Sequence, residues 1–454
     1  MRRSLLAGAL LAGTVLSPTV AQAQDATAPT DAEIIAEMRA ELAALRARED
    51  ELEGRTQAAE SSIAAQAEGQ QEIRTAIAEV EAAPTTITAF KGAPQVSSDS
   101  GWTFKPRGRV MVDAGTISAP EGIDDGFGST LRRVRLGVQG DMPGGFGYKL
   151  EADFAGNEVD LTDAFLSYED GGFEVRAGQF NNFQSLEELT SGLHTSFIER
   201  AAFTDAFGFR RKVGVGGQWS GGDVLVQAGA FADNSETLPD GSRSYDARIV
   251  FMPKTSFGQL HLGASVHQTD LDNGETVRYR QRPLVNFTAV RPVNTGSLAA
   301  TGEFGYGAEA ALISGPFHFA GEAFCQQPEL VAAASDPTFF GGYVEAGVFL
   351  TPGDSRGYKG GTFDRIKPSS PVGEGGFGAV QFNVRYDRLD LSDDGIVGGT
   401  QDGYYASLVW SPTAYTRLML NYGRLEYGDA AVPAANGDRD YAIDVFGARA
   451  QVDF

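Results

Sequence analysis

Hydrophobic positions along this chain follow two different periods, one up to about residue 81 and the other from Gly101 to the end. In the first stretch Ile35, Met38, Leu42, Leu45, Leu52, Ala59, Ile63, Ile73, Ile77 and Val80 fit an alternating three-and-four spacing. Glu49, Thr56, Gln66 and Gln70 fill the remaining slots. The flanking residues are Ala, Glu, Arg and Gln, all good helix formers, interrupted at Gly54 and Gly69. This is a heptad seam with a weakened middle, and it predicts a helix over 31–81 that pairs as a coiled coil. The register persists across the polar middle, so a solvated single helix explains it less well. A homotypic coiled coil implies an oligomer, but the heptads do not fix the number of strands.

From Gly101 onward the period drops to two. Alternating runs bounded by Gly, Pro, Asp and Asn predict strands near 104–114, 130–140, 146–155, 160–169, 172–180, 209–220, 222–232 and 243–252. Further strands fall near 257–268, 303–313, 316–325, 339–350, 376–390, 401–411, 414–427 and 440–454. That makes sixteen, an even number as bacterial outer-membrane barrels require. Connections alternate between short (142–145, 169–172, 220–223, 314–315, 411–413) and mostly long (115–129, 181–208, 269–302, 326–338, 428–439). One segment, 351–375, is long on the short-turn side. The final strand ends on a bare aromatic: Phe446, Ala448, Ala450, Val452 and Phe454 share one face, Arg449, Gln451 and Asp453 the other. A solenoid or propeller would show a repeat at a longer fixed period, and none is present. The expected fold is all-β, a 16-stranded antiparallel transmembrane barrel enclosing a water channel, preceded by an α-helical coiled coil.

Residues 1–23 have the layout of a secretory signal: Arg2 and Arg3, an apolar stretch from Leu5 to Leu16, and a small-x-small site at Ala21-Gln22-Ala23. The apolar stretch is too short for a transmembrane helix. The domains expected are then a signal at 1–23, a periplasmic coiled-coil segment at 24–81, a linker at 82–100 and a barrel at 101–454. A hydrophobic fraction of 42% resembles a soluble protein, yet half of each barrel strand faces water. The single Cys325 excludes an intramolecular disulfide framework and is expected at a strand end. A net charge of −23 argues against nucleic acid as a partner. It says little about a pore, whose local lining decides selectivity.

Several segments together resemble the phosphate-selective porin O and P family. They include Phe104-Lys-Pro-Arg-Gly-Arg109, Leu131-Arg-Arg-Val-Arg-Leu-Gly137, Gly147-Tyr-Lys-Leu150, Asp153-Phe-Ala-Gly-Asn157 and Leu161-Thr-Asp-Ala164. Gly178-Gln-Phe180, Ser185-Leu-Glu-Glu-Leu-Thr190, Glu199-Arg200, Arg278-Tyr-Arg-Gln-Arg-Pro283, Arg388-Leu-Asp-Leu391 and Gln451-Val-Asp-Phe454 follow in matching order. The resemblance implies a homotrimer of sixteen-stranded barrels in the bacterial outer membrane. It also implies channels narrowed by inward-folded loops, with 181–208 as the third external loop, 269–302 as another candidate and 351–375 as a long periplasmic turn. Phosphate-selective members of the family use an arginine ladder and a lysine cluster.

Alternation assigns the faces of the strands. Val110, Val112, Val134, Leu136, Val138, Tyr148, Leu150, Ala152 and Phe154 are expected to face lipid. Lys105, Arg107, Arg109, Arg133, Arg135, Gln139, Lys149, Glu151 and Asp153 are expected in the lumen. Arg132, out of phase with Arg133, is expected at the interface. Later inward positions are Arg176, Lys212, Arg248, Arg385, Arg417 and Arg449, and the long turn adds Arg356, Lys359, Arg365 and Lys367. Of these, Arg107, Arg109, Arg133, Arg135, Arg176, Lys212, Arg385, Arg417, Lys359 and Arg365 are the candidate channel-lining and anion-binding residues. Guanidiniums offer forked donors that suit phosphate and other oxyanions.

The same lumen carries Asp113, Glu151, Asp153, Asp163, Glu174, Asp246, Glu309, Glu322 and Asp387, which makes a weakly sorting, mixed-charge wall the competing reading. After Phe180 the family often has a Lys where this chain has Asn181-Asn182, and no base occurs before Arg200. The function expected is passive diffusion of small hydrophilic solutes, with an anion or phosphate preference to be tested. The alternatives are a non-selective porin, or an envelope tether whose barrel only anchors it. No catalytic constellation is expected, and no cofactor. His194, His261, His267 and His318 lack metal-ligand spacing and read as wall or loop residues. Outer-membrane lipid and small solutes are the expected partners.

Overall fold

The computed structural model describes residues 31–82, 85–156, 158–237, 241–331 and 335–454. The expected signal at 1–23 lies outside the described residues. Two units make up the chain, 1–82 and 83–454. In the first, a single helix α1 spans Asp31–Ala82. Its seam side chains Ile35, Met38, Leu42, Leu45, Leu52, Ile63 and Ile73 are all exposed.

The second unit is the barrel. Its strands are β1 (Thr103–Ser118), β2 (Gly126–Met142), β3 (Phe146–Asp153), β4 (Asp160–Asp170), β5 (Phe173–Asn181) and β6 (Arg211–Gly221). Next come β7 (Val224–Phe231), β8 (Arg243–Phe251), β9 (Gly258–Asp270), β10 (Leu298–Ser314) and β11 (Phe317–Leu330). The wall ends with β12 (Phe339–Phe349), β13 (Ala379–Asp393), β14 (Ile396–Ser411), β15 (Thr416–Gly428) and β16 (Tyr441–Asp453). Each pairs antiparallel with its sequence neighbour, and β16 pairs with β1 from Asp444↔Ser118 to Asp453↔Arg109, so all sixteen expected strands form one closed wall. Closure leaves no unpaired edge, which is what lets backbone amides sit in hydrocarbon. Phe454 and Gly108 exchange backbone hydrogen bonds of 2.9 and 3.1 Å at the end of this seam.

The two-residue period sorts the wall as expected. Leu136, Leu150, Phe154, Phe446 and Val452 are exposed on the outside, while Arg109, Glu151, Asp153, Arg449 and Gln451 are buried inside. Three local expectations change. Arg132 is not at the interface. The β1–β2 register shifts between Met111 and Val112, and this bulge turns Arg132 inward to Glu199 at 2.6 and 2.9 Å. Residues 85–98, read within a linker, form a hairpin of Thr85–Lys91 and Ala93–Ser98 whose second strand pairs with β1. The β-branched run Thr85-Thr86-Ile87-Thr88 favours that pairing over a loose connection. Gly92 makes the turn at φ 79°, where a Cβ would also crowd Tyr415 and Phe454. Cys325 lies within β11 rather than at its end.

Most connections on the rim where β1 begins are tight; the exception is 350–378. There Gly357–Lys359 and Thr362–Asp364 form a hairpin that enters the barrel, burying Phe363. From the opposite rim two long loops enter. The loop 182–210 carries two short helices, α2 (Leu186–Leu189) and α3 (Ala202–Ala206), and the loop 271–297 buries Tyr279, Leu284, Val285 and Val293. These loops share one apolar cluster with the wall, in which Phe197, Phe203 and Phe209 meet Phe324, Tyr343, Leu389 and Tyr405. The Phe203 and Phe324 rings stack with centroids 5.2 Å apart. This cluster packs against the wall mainly between β9 and β16, and the two larger cavities lie along β1–β10.

Candidate functional site

The loop 182–210 sets the site because arginines of the wall hold it down. Arg417 of β15 donates to the carbonyls of Leu193 and Thr195 at 3.0 and 2.5 Å. Arg356 of the long turn donates to the carbonyl of His194 at 2.5 Å, with its guanidinium over the Phe363 ring. Arg385 of β13 bridges Glu345 of β12 and Glu187 of the loop at 2.6 and 2.7 Å, between the rings of Phe197 and Tyr343. Glu322 of β11 accepts the backbone N–H groups of Leu186 and Glu187 at 2.9 and 2.7 Å, which caps α2. That cap offsets the left-handed conformation of Ser185, at φ 65°. Within the loop, Arg200 ties three carbonyls together, those of Glu187, Glu188 and Thr190.

Beside this clamped loop lie three adjoining cavities. The one nearest the long-loop rim has a volume of about 360 Å³ and is lined by Arg210, Lys212, Arg243, Arg278, Arg280, Arg282 and Arg291 against Asp205, Asp233, Glu275 and Glu303. Its basic residues outnumber its carboxylates by three. The next, about 150 Å³, shares Asp205 and Arg282 with the first and is balanced, with Arg132, Arg200 and Arg282 facing Glu188, Glu199 and Asp205. The third, about 360 Å³, shares Arg200 and runs along β1–β6. It gathers Arg107, Arg109, Arg133, Arg135, Lys149, Arg176, Arg200 and Arg211 around one carboxylate in its own lining, Asp163.

The carboxylates that compensate this third cavity stand mostly behind its surface. Glu151 accepts from Arg109 and Arg135 at 3.1 and 3.2 Å, and Asp153 from Arg135 at 2.7 Å. Asp163 takes Lys149 and Arg211 at 2.5 and 2.8 Å, Glu174 takes Arg176 at 2.5 Å, and Glu188 takes Arg200 at 3.3 Å. Eight cations therefore meet five carboxylates. Among the described residues Arg107 and Arg133 make no ion pair. Arg107 donates to Gln139, and Arg133 approaches only the Met111 sulfur at 3.8 Å, leaving its buried Nε without a partner. Gly192 makes room for the Arg133 guanidinium, with which a Cβ at that position would overlap.

The loop carboxylates feel this field unequally. Burial pushes Glu199 up, but Arg132 and Arg449 overcome it and hold its pKa at about 2. Burial wins at Glu188, whose pKa is raised despite Arg200. His194 is kept neutral, pushed down to about 2 by burial and by Arg365, Arg417 and Arg356.

Of the ten expected lining residues, the structure brings Arg107, Arg109, Arg133, Arg135 and Arg176 together in the third cavity. It places Lys212 in the first, bonded to Ser244 at 3.0 Å. Arg385 and Arg417 are buried under the loop they hold, away from all three cavities. Arg365 pairs with Asp453 beneath the Tyr415 ring, and Lys359 is exposed at the tip of the long-turn hairpin. Sequence reasoning passed over Glu345, although its two-residue step from Tyr343 puts it on the inner face. It also passed over the anchoring by Arg200, for which a loop offers no period to read.

A model of the family described as phosphate-selective porin O and P matches residues 104–454. An uncharacterized protein of Caulobacter vibrioides is 45% identical over 481 aligned positions, covering 99% of this chain and 96% of its own. Among solved structures, an anion-selective porin from Comamonas acidovorans aligns over 78% of this chain and 100% of that one, with a TM-score of 0.53 at 14% identity. OprB of Pseudomonas putida gives 0.51 at 12% identity over 78% and 95%. The trimer form of OmpT from Vibrio cholerae gives 0.50 at 9% over 78% and 100%. These three likenesses are of fold alone.

Proposed function

Since the chain belongs to the phosphate-selective porin O and P family and closes the barrel of an outer-membrane channel rather than an enzyme, we propose that it passes small hydrophilic solutes with a preference for anions, phosphate-like oxyanions among them. The observation that carries this reading is the third cavity, where eight cations meet five carboxylates and two arginines keep their charge uncompensated. Local excess, not the total of −23, sets the field a permeating ion meets. Arg107, Arg109, Arg133, Arg135 and Arg176 form the inner steps of the route and Lys212 an outer one. Arg385, Arg417 and Arg365 hold the plug in place, and Lys359 marks the periplasmic mouth.

The fold likeness to a porin called anion-selective agrees with this reading without carrying it. Three copies are the proposed assembly. The helical segment lies in the periplasm, since β1 starts at the rim of mostly short turns, which in such barrels faces that side. The mature chain begins near Gln24 after removal of residues 1–23. The balanced middle cavity favours a second reading, a mixed-charge porin that sorts weakly.

Single-channel recording across a salt gradient separates the two. Anion preference is expected, with chloride current reduced by added phosphate, and Arg133→Ala should lower the anion-to-cation permeability ratio several-fold. Cation preference with no effect of phosphate would sink the anion reading. Absence of any conductance would leave the barrel as an anchor.

A further inference from the structure

The neck between the first two cavities is built by two loops that share no strand. Asp205 and Arg282 line both cavities and so stand where one opens into the other. Asp205 belongs to α3, which two contacts hold: the Phe203 ring stacks on Phe324 of β11, and the Ala202 N–H donates to Asp387 of β13 at 3.2 Å. Arg282 follows the strand pair Arg280–Gln281 and Val293–Asn294 within the loop 271–297. The two loops meet edge to face through Phe207 and Tyr279, with ring centroids 6.0 Å apart. Most other charges of the middle cavity cancel locally. Glu199 takes Arg132 and Arg449, Glu188 takes Arg200, and Arg200 directs its other donors to carbonyls. What remains is one charge of each sign. Among the described residues the Asp205 carboxylate makes no ion pair and accepts no hydrogen bond. Arg282 donates only to Asn286, at 2.7 Å, and its Nε has no partner. In the same lining the Gln281 side chain, 5% exposed, has an enclosed Oε1 that no donor reaches. Unpaired polar groups in such positions are rare because they are costly.

We propose that this neck is a binding subsite for small zwitterions of the amino-acid class, with the ammonium on Asp205 and the carboxylate on the Arg282 guanidinium. The proposal rests on the reading of the barrel as a channel and goes beyond its anion preference. A guanidinium presents forked N–H donors to a carboxylate, and Arg282 has donors left after Asn286. An ammonium brings three donors and no acceptor; Asp205 offers it two oxygens, and the orphaned oxygen of Gln281 adds a third acceptor to the lining. A simple anion is matched at Arg282 but leaves Asp205 opposed to it, and a simple cation meets the reverse. A molecule carrying both charges answers both at once, so discrimination comes from the charge that a wrong solute leaves unmatched. Phe209, Leu284 and Val285 supply apolar lining, which suits a short aliphatic side chain in a cavity of about 150 Å³. A solute in a channel must also leave, so the subsite is expected to bind weakly, in the millimolar range.

The test uses the full chain, purified and reconstituted, with glycine and alanine as probes. In planar bilayers each is expected to reduce the chloride current saturably, at concentrations several-fold lower than acetate or methylammonium requires. In proteoliposome swelling, glycine should enter several-fold faster than glycolamide, its uncharged isomer. Asp205→Asn and Arg282→Gln should each weaken the amino-acid effect several-fold, and Asp205→Glu, which keeps the charge, should retain it. Chloride current through each variant shows that its barrel has folded. Acetate acting as strongly as glycine would mean a plain anion site, and no saturable effect in either assay would mean no site. An effect that survives both Asp205→Asn and Arg282→Gln would place the binding elsewhere. Each of these three results overturns the proposal. Reversal potentials recorded in the same bilayers without amino acid test the anion reading separately, so either can fail while the other stands.

Discussion

The residues that hold the plug divide by whether their charge is spent. Arg385 is fully engaged by Glu187 and Glu345, so Arg385→Ala leaves two buried carboxylates without their cation. Breaking such a buried pair costs about 3–5 kcal/mol. The expected result is a loosened third loop, read as larger and noisier single-channel current at unchanged ion preference. Arg133 is the opposite case: its charge is free, and its place depends on the missing side chain of Gly192. Gly192→Ala should displace the guanidinium and lower anion preference without loosening the loop. Glu188 adds a pH dependence. Its carboxyl is raised by burial, so on acidification it takes up a proton ahead of an ordinary glutamate. The loss of that negative charge beside Arg200 makes the cavity more positive. Anion preference measured by reversal potential should therefore increase as pH falls, and Glu188→Gln should flatten that response.

At the scale of elements, the wall was legible in the alternation, whereas the inward loops were legible only through the family resemblance and their contacts not at all. Lipid outside and water inside impose a strict alternation, because a charge facing the bilayer midplane costs about 2–4 kcal/mol. Placing Arg at Val384, exposed on the outside of β13, should reduce stability by that amount, measured by urea titration in bilayers. Alternation places residues on faces but does not say what those faces touch. In β13 it continues to the long-loop rim, yet there it is the inward Leu389 and Leu391 that are apolar and the outward Arg388 and Asp390 that are charged. Both leucines lie in the cluster that the loops 182–210 and 271–297 share with the wall, and no pattern within β13 announces a loop arriving from elsewhere. The bulge at Arg132 shifts phase by one residue, which a two-residue period cannot anticipate. Of the expected anion ladder, the contiguous run from β1 to β5 gathered in one cavity because neighbouring strands share a stretch of wall. Arg385 and Arg417 passed from lining to anchoring because the plug lands on them. Removing the hairpin at 357–364, which lies in the segment that turn parity and the family resemblance both single out, should enlarge conductance while leaving the wall intact.

For the whole molecule, the seam between β1 and β16 has a consequence in time. Arg449 meets Asp113 at 2.6 Å although 336 residues separate them in sequence. The loop this contact closes is almost the entire barrel, so its ends cannot be held together by local structure, and long-range pairing of this kind forms slowly. Until Phe454 has been delivered, β1 is an open edge and the wall has no final neighbour. The order in which the chain is made is thus opposite to the order in which it is sealed: the first strand must wait for the last.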